Sequence, residues 1–170
     1  MKLSLYQVDA FTNHLFGGNP AAVVPLQEWI DDTIMQQLAM ENNLAETVFF
    51  VPSKHKEADY DIRWFTPELE MNLCGHATLA SAFVLFDFLG FNKQVLTFHS
   101  QSGLLKVTKK RNLYEMDFPS WKPERTDKFP NNIAEILGIK EIIGTYKYRD
   151  LLIEVNNEEE VVNARPDFTA

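Results

Sequence analysis

Three adjacent residues, Cys74, Gly75 and His76, stand in the stretch RWFTPELEMNLCGHATL, where a strand, a turn and a helix entrance follow one another. The alternating residues 60–65 predict a strand, and the apolar residues 77–88 predict a helix. The three residues therefore fall at a helix N-terminus. The first N–H groups of a helix lack intrahelical partners and the macrodipole is positive there, so this position can hold a substrate carboxylate beside an imidazole and a thiol.

A second candidate group, Glu46, opens the stretch at residues 45–51, whose β-branched and aromatic composition predicts a strand. A carboxyl pressed against Phe49 and Phe50 would have its ionised form disfavoured, which suits a general acid and base near neutral pH. The alternative is an ordinary glutamate in water at the edge of a strand. The local sequence leaves both interpretations open.

Cys74 and His76 can also be considered as a nucleophilic dyad. Side chains two positions apart at a helix entrance do not face each other reliably, and a small buried thiol packed under the helix is the simpler interpretation. The four histidines show no pair at i, i+4 and no His-Glu-x-x-His pattern, and a single cysteine excludes a cysteine-based zinc site. The sequence therefore predicts no metal centre.

Composition limits the class of partner. Sixteen basic against twenty-four acidic side chains give a net charge of −8, which argues against nucleic acid or an anionic membrane as a partner. The single cysteine fits a reducing cytoplasm, and the N-terminal segment lacks the apolar core of a signal peptide. The apolar residues 77–91 include Asp87 and are fewer than the roughly 18 to 20 that a membrane span needs. We expect a cytoplasmic location.

The chain contains one helix that is apolar on nearly every side, residues 77–88, and such a helix must be enclosed. Residues 31–43 predict an amphipathic helix capped by Asp31 or Asp32. Further strands are predicted at 3–11, 21–25, 94–100, 104–109 and 113–118. A curved β-sheet wrapped around the central apolar helix, in an α+β fold, accounts for these elements.

A division of the chain is predicted near its three closely spaced prolines. Residues 1–118 form a first lobe, and residues 119–130 are a crossover. Residues 131–170 then begin a second lobe, with a helix at 133–137, strands at 142–148 and 151–155, and a solvated turn at 156–160. This second part is too small to bury a core of its own, so we expect the chain to be a fragment of a longer protein.

Four separated motifs occur in one order along the chain: Phe16-Gly-Gly-Asn-Pro-Ala-Ala-Val23, Asn43-Leu-Ala-Glu-Thr-Val48, Arg63-Trp-Phe-Thr-Pro67 with Glu70, and Leu73-Cys-Gly-His-Ala-Thr78. Together they resemble the PhzF-like phenazine-biosynthesis isomerase family, which shares its fold with diaminopimelate epimerase. The resemblance implies two similar lobes, each a curved sheet around a central helix, with the active site in the cleft between them. It also implies a homodimer that uses no cofactor.

The resemblance assigns roles to individual residues. Glu46 matches the catalytic acid and base that moves a proton between two carbons of a small amino or carboxylic acid, and Gly75 with His76 matches the substrate-binding helix entrance. Cys74 stands where epimerase relatives carry one of two cysteine bases, although their motif continues Gly-Asn. Ala45 replaces a serine of some members. A cysteine-dependent racemase or epimerase, and a non-catalytic half-domain acting in dimerisation, are the alternatives.

Overall fold

The computed structural model describes residues 1–14, 16–167 and 169, which fold as two compact units, Met1–Pro119 and Ser120–Ala170. The first unit contains strands and helices in the order β1 (Tyr6–Ala10), β2 (Asn19–Pro25), α1 (Asp32–Asn42), β3 (Glu46–Pro52), β4 (Tyr60–Phe65), β5 (Glu70–Met71), α2 (Gly75–Asp87), β6 (Val95–Ser100), β7 (Gly103–Lys110) and β8 (Leu113–Asp117). Strand β4 has the predicted bounds, whereas the two-residue strand β5 was not predicted.

One mixed sheet forms the framework of the first unit, in the order β1-β2-β3-β4-β6-β7-β8, with β5 beside β4. The pairs β2–β3 and β4–β6 are parallel and the others are antiparallel. Helix α2 packs against strands from both ends of this order, including β1 and β8, so the sheet curves around it. This confirms the predicted α+β fold with a central apolar helix.

Small side chains allow the sheet to approach α2 closely. Ala77, Ala80 and Ala82 are at most 1% exposed and pack in one core with the inward-facing residues of the sheet. The sequence predicted that this helix is buried on all sides. That prediction fails at the C-terminal end of α2, where Phe88 is 60% exposed. There Asp87 bonds to Lys109 and Tyr114, which attaches the end of the helix to β7 and β8.

Helix α1 packs on the opposite face of the sheet. Met35 and Ala39 of this helix form a second buried cluster with Phe49 and Phe65. The backbone N–H of Thr33 donates to the Asp31 side chain at 2.8 Å, so Asp31 is the N-cap that the sequence predicted. The two faces of the sheet therefore carry separate cores.

The turn between β1 and β2 requires glycine at position 18. Gly18 has a φ of +67°, and a Cβ there would lie 2.1 Å from the carbonyl oxygen of Ala10. No other residue type fits so close to the backbone. The glycine pair thus forms a tight bend.

The second unit is a small three-stranded antiparallel sheet with two short helices. Its elements are β9 (Glu124–Arg125), α3 (Ile133–Leu137), β10 (Gly144–Lys147), β11 (Leu151–Glu154) and α4 (Glu158–Asn163), and the sheet order is β11-β10-β9. Strand β9 lies within residues 119–130, the predicted crossover, and pairs with β10. This part of the chain therefore packs with the second unit.

The prediction of a solvated turn at residues 156–160 is wrong, because α4 begins at Glu158. The Asn157 side chain accepts a hydrogen bond from the backbone N–H of Glu160 at 3.0 Å and caps the helix. Three glutamates in the first turn also interact favourably with the positive end of the helix dipole. Their charge suggested a loop, although at this position it stabilises a helix.

Within the described residues of the second unit, Gly144 and Thr145 are buried and no larger apolar side chain is. Val161 and Val162 of α4 are 64% and 67% exposed. The described residues of this unit thus bury no large apolar side chain. None of the helices described in either unit is both long enough and apolar enough to cross a membrane.

Candidate functional site

Glu46 is the first residue of β3 and lies four residues after Asn42, the last residue of α1. Asn43 closes α1 in the left-handed conformation, and the parallel pairing of Ala21 with Glu46 then starts the strand. Side chains alternate along a strand, so Glu46 shares a face with Val48 and Phe50, the face that packs on α2. Phe49 points to the α1 side, so the predicted shielding of Glu46 by Phe49 is wrong.

The entrance of α2 lies two residues earlier than predicted. Cys74 is the N-cap, with an extended backbone, and Gly75 and His76 form the first helical turn. Thr78 Oγ1 donates a hydrogen bond of 2.6 Å to the Cys74 carbonyl oxygen. The Cys74 side chain makes no capping hydrogen bond to this helix, and the first turn has no acidic residue. The positive end of the dipole is therefore not compensated by a carboxylate of the helix itself.

Arg63 and Glu70 hold the segment that leads into this entrance. Arg63 Nε and Nη2 each donate to a Glu70 carboxylate oxygen at 2.7 Å, and Nη1 donates to Asp32 Oδ1 at 2.7 Å. Farther along, Ser102 Oγ donates to the carbonyl oxygen of Asn72 at 2.9 Å. The sequence motif includes both residues but does not indicate that they pair, because the short strand β5 that carries Glu70 has no periodic pattern.

Glu46 and His76 converge on one point. The His76 Nε2 atom lies 3.1 Å from Glu46 Oε2, and the two side chains are 8% and 15% exposed. The distance is that of an ion pair, but the angles do not satisfy a hydrogen bond, so Nε2 has no hydrogen-bond partner within the part of the chain that the structure describes. A buried imidazole nitrogen without such a partner is a position at which a ligand can bond.

Cys74 lies on the other side of the same imidazole, with Sγ 3.5 Å from His76 Nδ1. Burial chiefly, with the Glu46 carboxylate adding to it and the backbone N–H of Ala77 opposing it, raises the pKa of the thiol from 9.0 to about 12. The thiol is thus protonated at neutral pH and lies within hydrogen-bond distance of Nδ1. A thiol proton donated to Nδ1 would leave the His76 proton on Nε2, the nitrogen next to Glu46.

Open space lies in front of the helix entrance. A Cβ placed on Gly75 would meet no atom within 4 Å, and Ala45, the residue before Glu46, is exposed. A carboxylate, an imidazole and the N-terminus of a helix therefore lie together, with open space at Gly75. This arrangement can bind an anion and transfer a proton beside it.

The same three side chains have the atom types of a metal site. One ligand atom each from Glu46, Cys74 and His76 lies within 4.8 Å of the other two. Zinc accepts carboxylate, thiolate and imidazole ligands, and binding would require the Cys74 thiol to lose its proton. The predicted absence of a metal from this site stays a prediction.

The chain matches the family model PhzC-PhzF, phenazine biosynthesis-like protein, over residues 8–170. It is 45% identical to an uncharacterized isomerase of Pseudomonas aeruginosa, over 99% of this chain and 63% of that protein. An uncharacterized isomerase of Halalkalibacterium halodurans is 42% identical with the same coverage of both chains. A crystal structure of a PhzF family protein from Enterococcus faecalis superposes with a TM-score of 0.86 at 47% identity, over 99% of this chain and 63% of that one. The chain thus spans less than two thirds of the length of these relatives.

Proposed function

The chain belongs to the phenazine biosynthesis-like protein family, and from that premise we propose that it supplies one lobe of a cofactor-independent isomerase acting on a small carboxylic or amino acid. The observation that carries this proposal is the 3.1 Å approach of Glu46 to His76 at the entrance of α2. Relatives named as isomerases support the reaction class. The Glu46 carboxylate supports proton transfer as the step.

In the proposed mechanism the substrate carboxylate binds in front of α2, where the first N–H groups of the helix and His76 Nε2–H can donate to it. Gly75 leaves the space for it. Glu46 removes a proton from one carbon, and the electron pair of the broken C–H bond moves into the conjugated system of the substrate. The protonated Glu46 then returns the proton to a second carbon, so the enzyme and the proton count are unchanged.

The raised pKa of Cys74 argues against the cysteine-dependent alternative. A general base must be ionised to remove a proton, and a thiol with a pKa of about 12 is protonated near neutral pH. In the proposed mechanism Cys74 instead orients the imidazole of His76.

The remainder of the site is part of the proposal. Since the chain spans 63% of each of the two relatives, we infer that a second lobe closes the cleft and selects the substrate. We further expect a cytoplasmic homodimer.

The experiment is hydrogen exchange in D₂O with a panel of small unsaturated amino and carboxylic acids, followed by NMR, on the protein that carries this sequence. Glu46→Gln should lower deuterium incorporation at least about 10²-fold while the protein stays folded, because a positioned general base contributes about 10² to 10⁴ in rate. Glu41→Gln, on the exposed side of α1, is the matched control and should have no effect. His76→Ala should chiefly weaken binding.

Normal turnover of Glu46→Gln would refute the assignment of the acid and base. Absence of exchange in the wild-type protein with every acid tested would favour the half-domain that acts in dimerisation. Loss of exchange on alkylation of Cys74, with Glu46→Gln still active, would favour the cysteine-dependent epimerase.

A further inference from the structure

A second group of potential ligands lies far from the Glu46 site, at the other end of β3. One ligand atom each from His55, Asp61 and His99 lies within 4.8 Å of the other two. The two imidazole rings are 3.9 Å apart between centroids, and His99 Nδ1 is 3.3 Å from Asp61 Oδ1. Asp61 pairs with Val51, five residues along β3 from Glu46, a separation of about 16 Å.

Strand register brings Asp61 and His99 together. They are partners in the parallel pair β4–β6, and both face away from the core. Their neighbours Ile62 and Phe98 point inward and are at most 2% exposed. Alternation along both strands thus requires the two ligands to lie side by side on the outer face of the sheet.

His55 comes from the loop between β3 and β4, which is fixed by its own hydrogen bonds. The backbone N–H of Ser53 donates to the Asp59 carbonyl oxygen at 3.0 Å, and the N–H of Asp59 donates to the carbonyl oxygen of Thr97 at 2.8 Å. The first bond closes the loop and the second attaches it to β6. The position of His55 beside His99 is therefore set by the backbone.

Ser53 also orients two of the three ligand residues. Its Oγ donates to Asp61 Oδ1 at 2.6 Å and accepts from the backbone N–H of His55 at 3.0 Å. Hydrogen bonds from outside the ligand set that fix a coordinating carboxylate are a regular feature of metal sites. The cluster thus has both the ligand types and the support that a metal site needs.

We propose that His55, Asp61 and His99 form a binding site for a divalent transition metal ion, with zinc as the best match. Two imidazole nitrogens and one carboxylate oxygen make a three-ligand zinc set that leaves a fourth position open to water. Ligand atoms around tetrahedral zinc are about 3.3 Å apart, given bonds of about 2.0–2.1 Å. His55 is exposed, so rotation of its side chain can bring the ligands to that separation.

Sequence spacing gave no sign of this site. The prediction of no metal centre rested on histidines four positions apart in one helix, whereas His55 and His99 lie on different elements with β4, β5 and α2 between them. Pairing between strands, which the sequence pattern does not specify, creates the cluster.

The first test is calorimetric titration of the metal-free chain with zinc chloride. Wild type should bind one ion at this site, and His99→Ala should lower the affinity at least about tenfold, because even residues that only support metal ligands cost 10–100-fold when removed. His14→Ala, an exposed histidine in the β1–β2 connection, is the matched control and should bind as wild type. Asp61→Asn keeps the side-chain shape and should also weaken binding.

Cobalt distinguishes this site from the one around Cys74. A thiolate ligand gives cobalt a charge-transfer band, whereas the proposed ligands give only d–d bands. The d–d spectrum should disappear in His99→Ala, whose fold is checked by circular dichroism. A thiolate band that His99→Ala leaves unchanged, equal losses in His99→Ala and His14→Ala, or no saturable binding would each overturn the proposal. None of these outcomes depends on the isomerase activity.

Discussion

Cys74 should resist alkylation in the folded chain. The residue is 7% exposed, and burial raises its pKa from 9.0 to about 12. Only the thiolate form of a cysteine reacts with the alkylating agent. At about pH 8 a thiol of pKa 9 is about 10% ionised, and a thiol of pKa 12 is about 0.01% ionised. This difference alone slows the reaction about a thousandfold relative to the unfolded chain.

The assay follows iodoacetamide modification of the intact chain by mass spectrometry, with the same chain in guanidinium chloride as the reference. The sequence has a single cysteine, so every adduct reports on Cys74. The unfolded rate should level off above about pH 9, while the folded rate should continue to rise about tenfold per pH unit. Modification of the folded chain at the unfolded rate, with a plateau near pH 9, would refute the assignment of Cys74 as a buried neutral thiol.

The same raised pKa predicts the sign of a change in stability with pH. Between 9.0 and about 12 the unfolded chain has lost its thiol proton and the folded chain keeps it. Cys74 therefore contributes stability fully below pH 9, and this contribution is lost as the pH rises towards 12, by up to about 1.4 kcal/mol per unit. Cys74→Ala should make the urea denaturation midpoint less sensitive to pH in this range, and an unchanged slope would contradict the shift.

Two further substitutions separate site from scaffold. Gly75→Ala should leave the melting temperature unchanged or raise stability by up to about 1 kcal/mol, since alanine is the better helix former and its methyl meets no atom. The affinity of this variant for small carboxylates, measured by calorimetry, should fall because the methyl group fills the space in front of the helix. Equal affinity would place the anion elsewhere. Arg63→Lys should destabilise the first unit by about 1.5–3 kcal/mol in urea denaturation, because lysine cannot form the two parallel bonds to Glu70. Arg149→Lys, in an exposed pair with Asp150, should change stability by less than about 0.5 kcal/mol, and equal losses would show that the Arg63 pair is no stronger than a surface contact.

Local signals predicted the elements that depend on local physics. Residues 60–65 form β4 as predicted, since their apolar alternation matches the period of a strand and Pro67 follows. Asp31 caps α1 and Asn43 ends it in the left-handed conformation, as their side chains favour. The enclosed helix followed from composition alone, because so apolar a segment has to be buried.

Features that depend on contacts between distant residues were not predictable in this way. The two residues of β5 are too few for a periodic pattern and form a strand only because β4 lies beside them. The direction in which Phe49 points depends on the register of β3, where a shift of one residue exchanges the two faces. The partners of Glu46 and of His55 are likewise fixed by strand pairing.

The register of β3 and β4 also explains why the helix entrance lies beside Glu46. The antiparallel pair Thr47–Phe65 puts the end of β4 next to the start of β3, and the pair Phe65–Glu70 brings the chain back along β4 just before α2. A slip of β3 by two residues against β4 would keep every side chain on its face of the sheet. It would nevertheless displace Glu46 by about 7 Å relative to His76. Packing of Trp64 against its neighbours in the α2 core opposes such a slip. The geometry of the candidate site is therefore set by core residues that take no part in its chemistry.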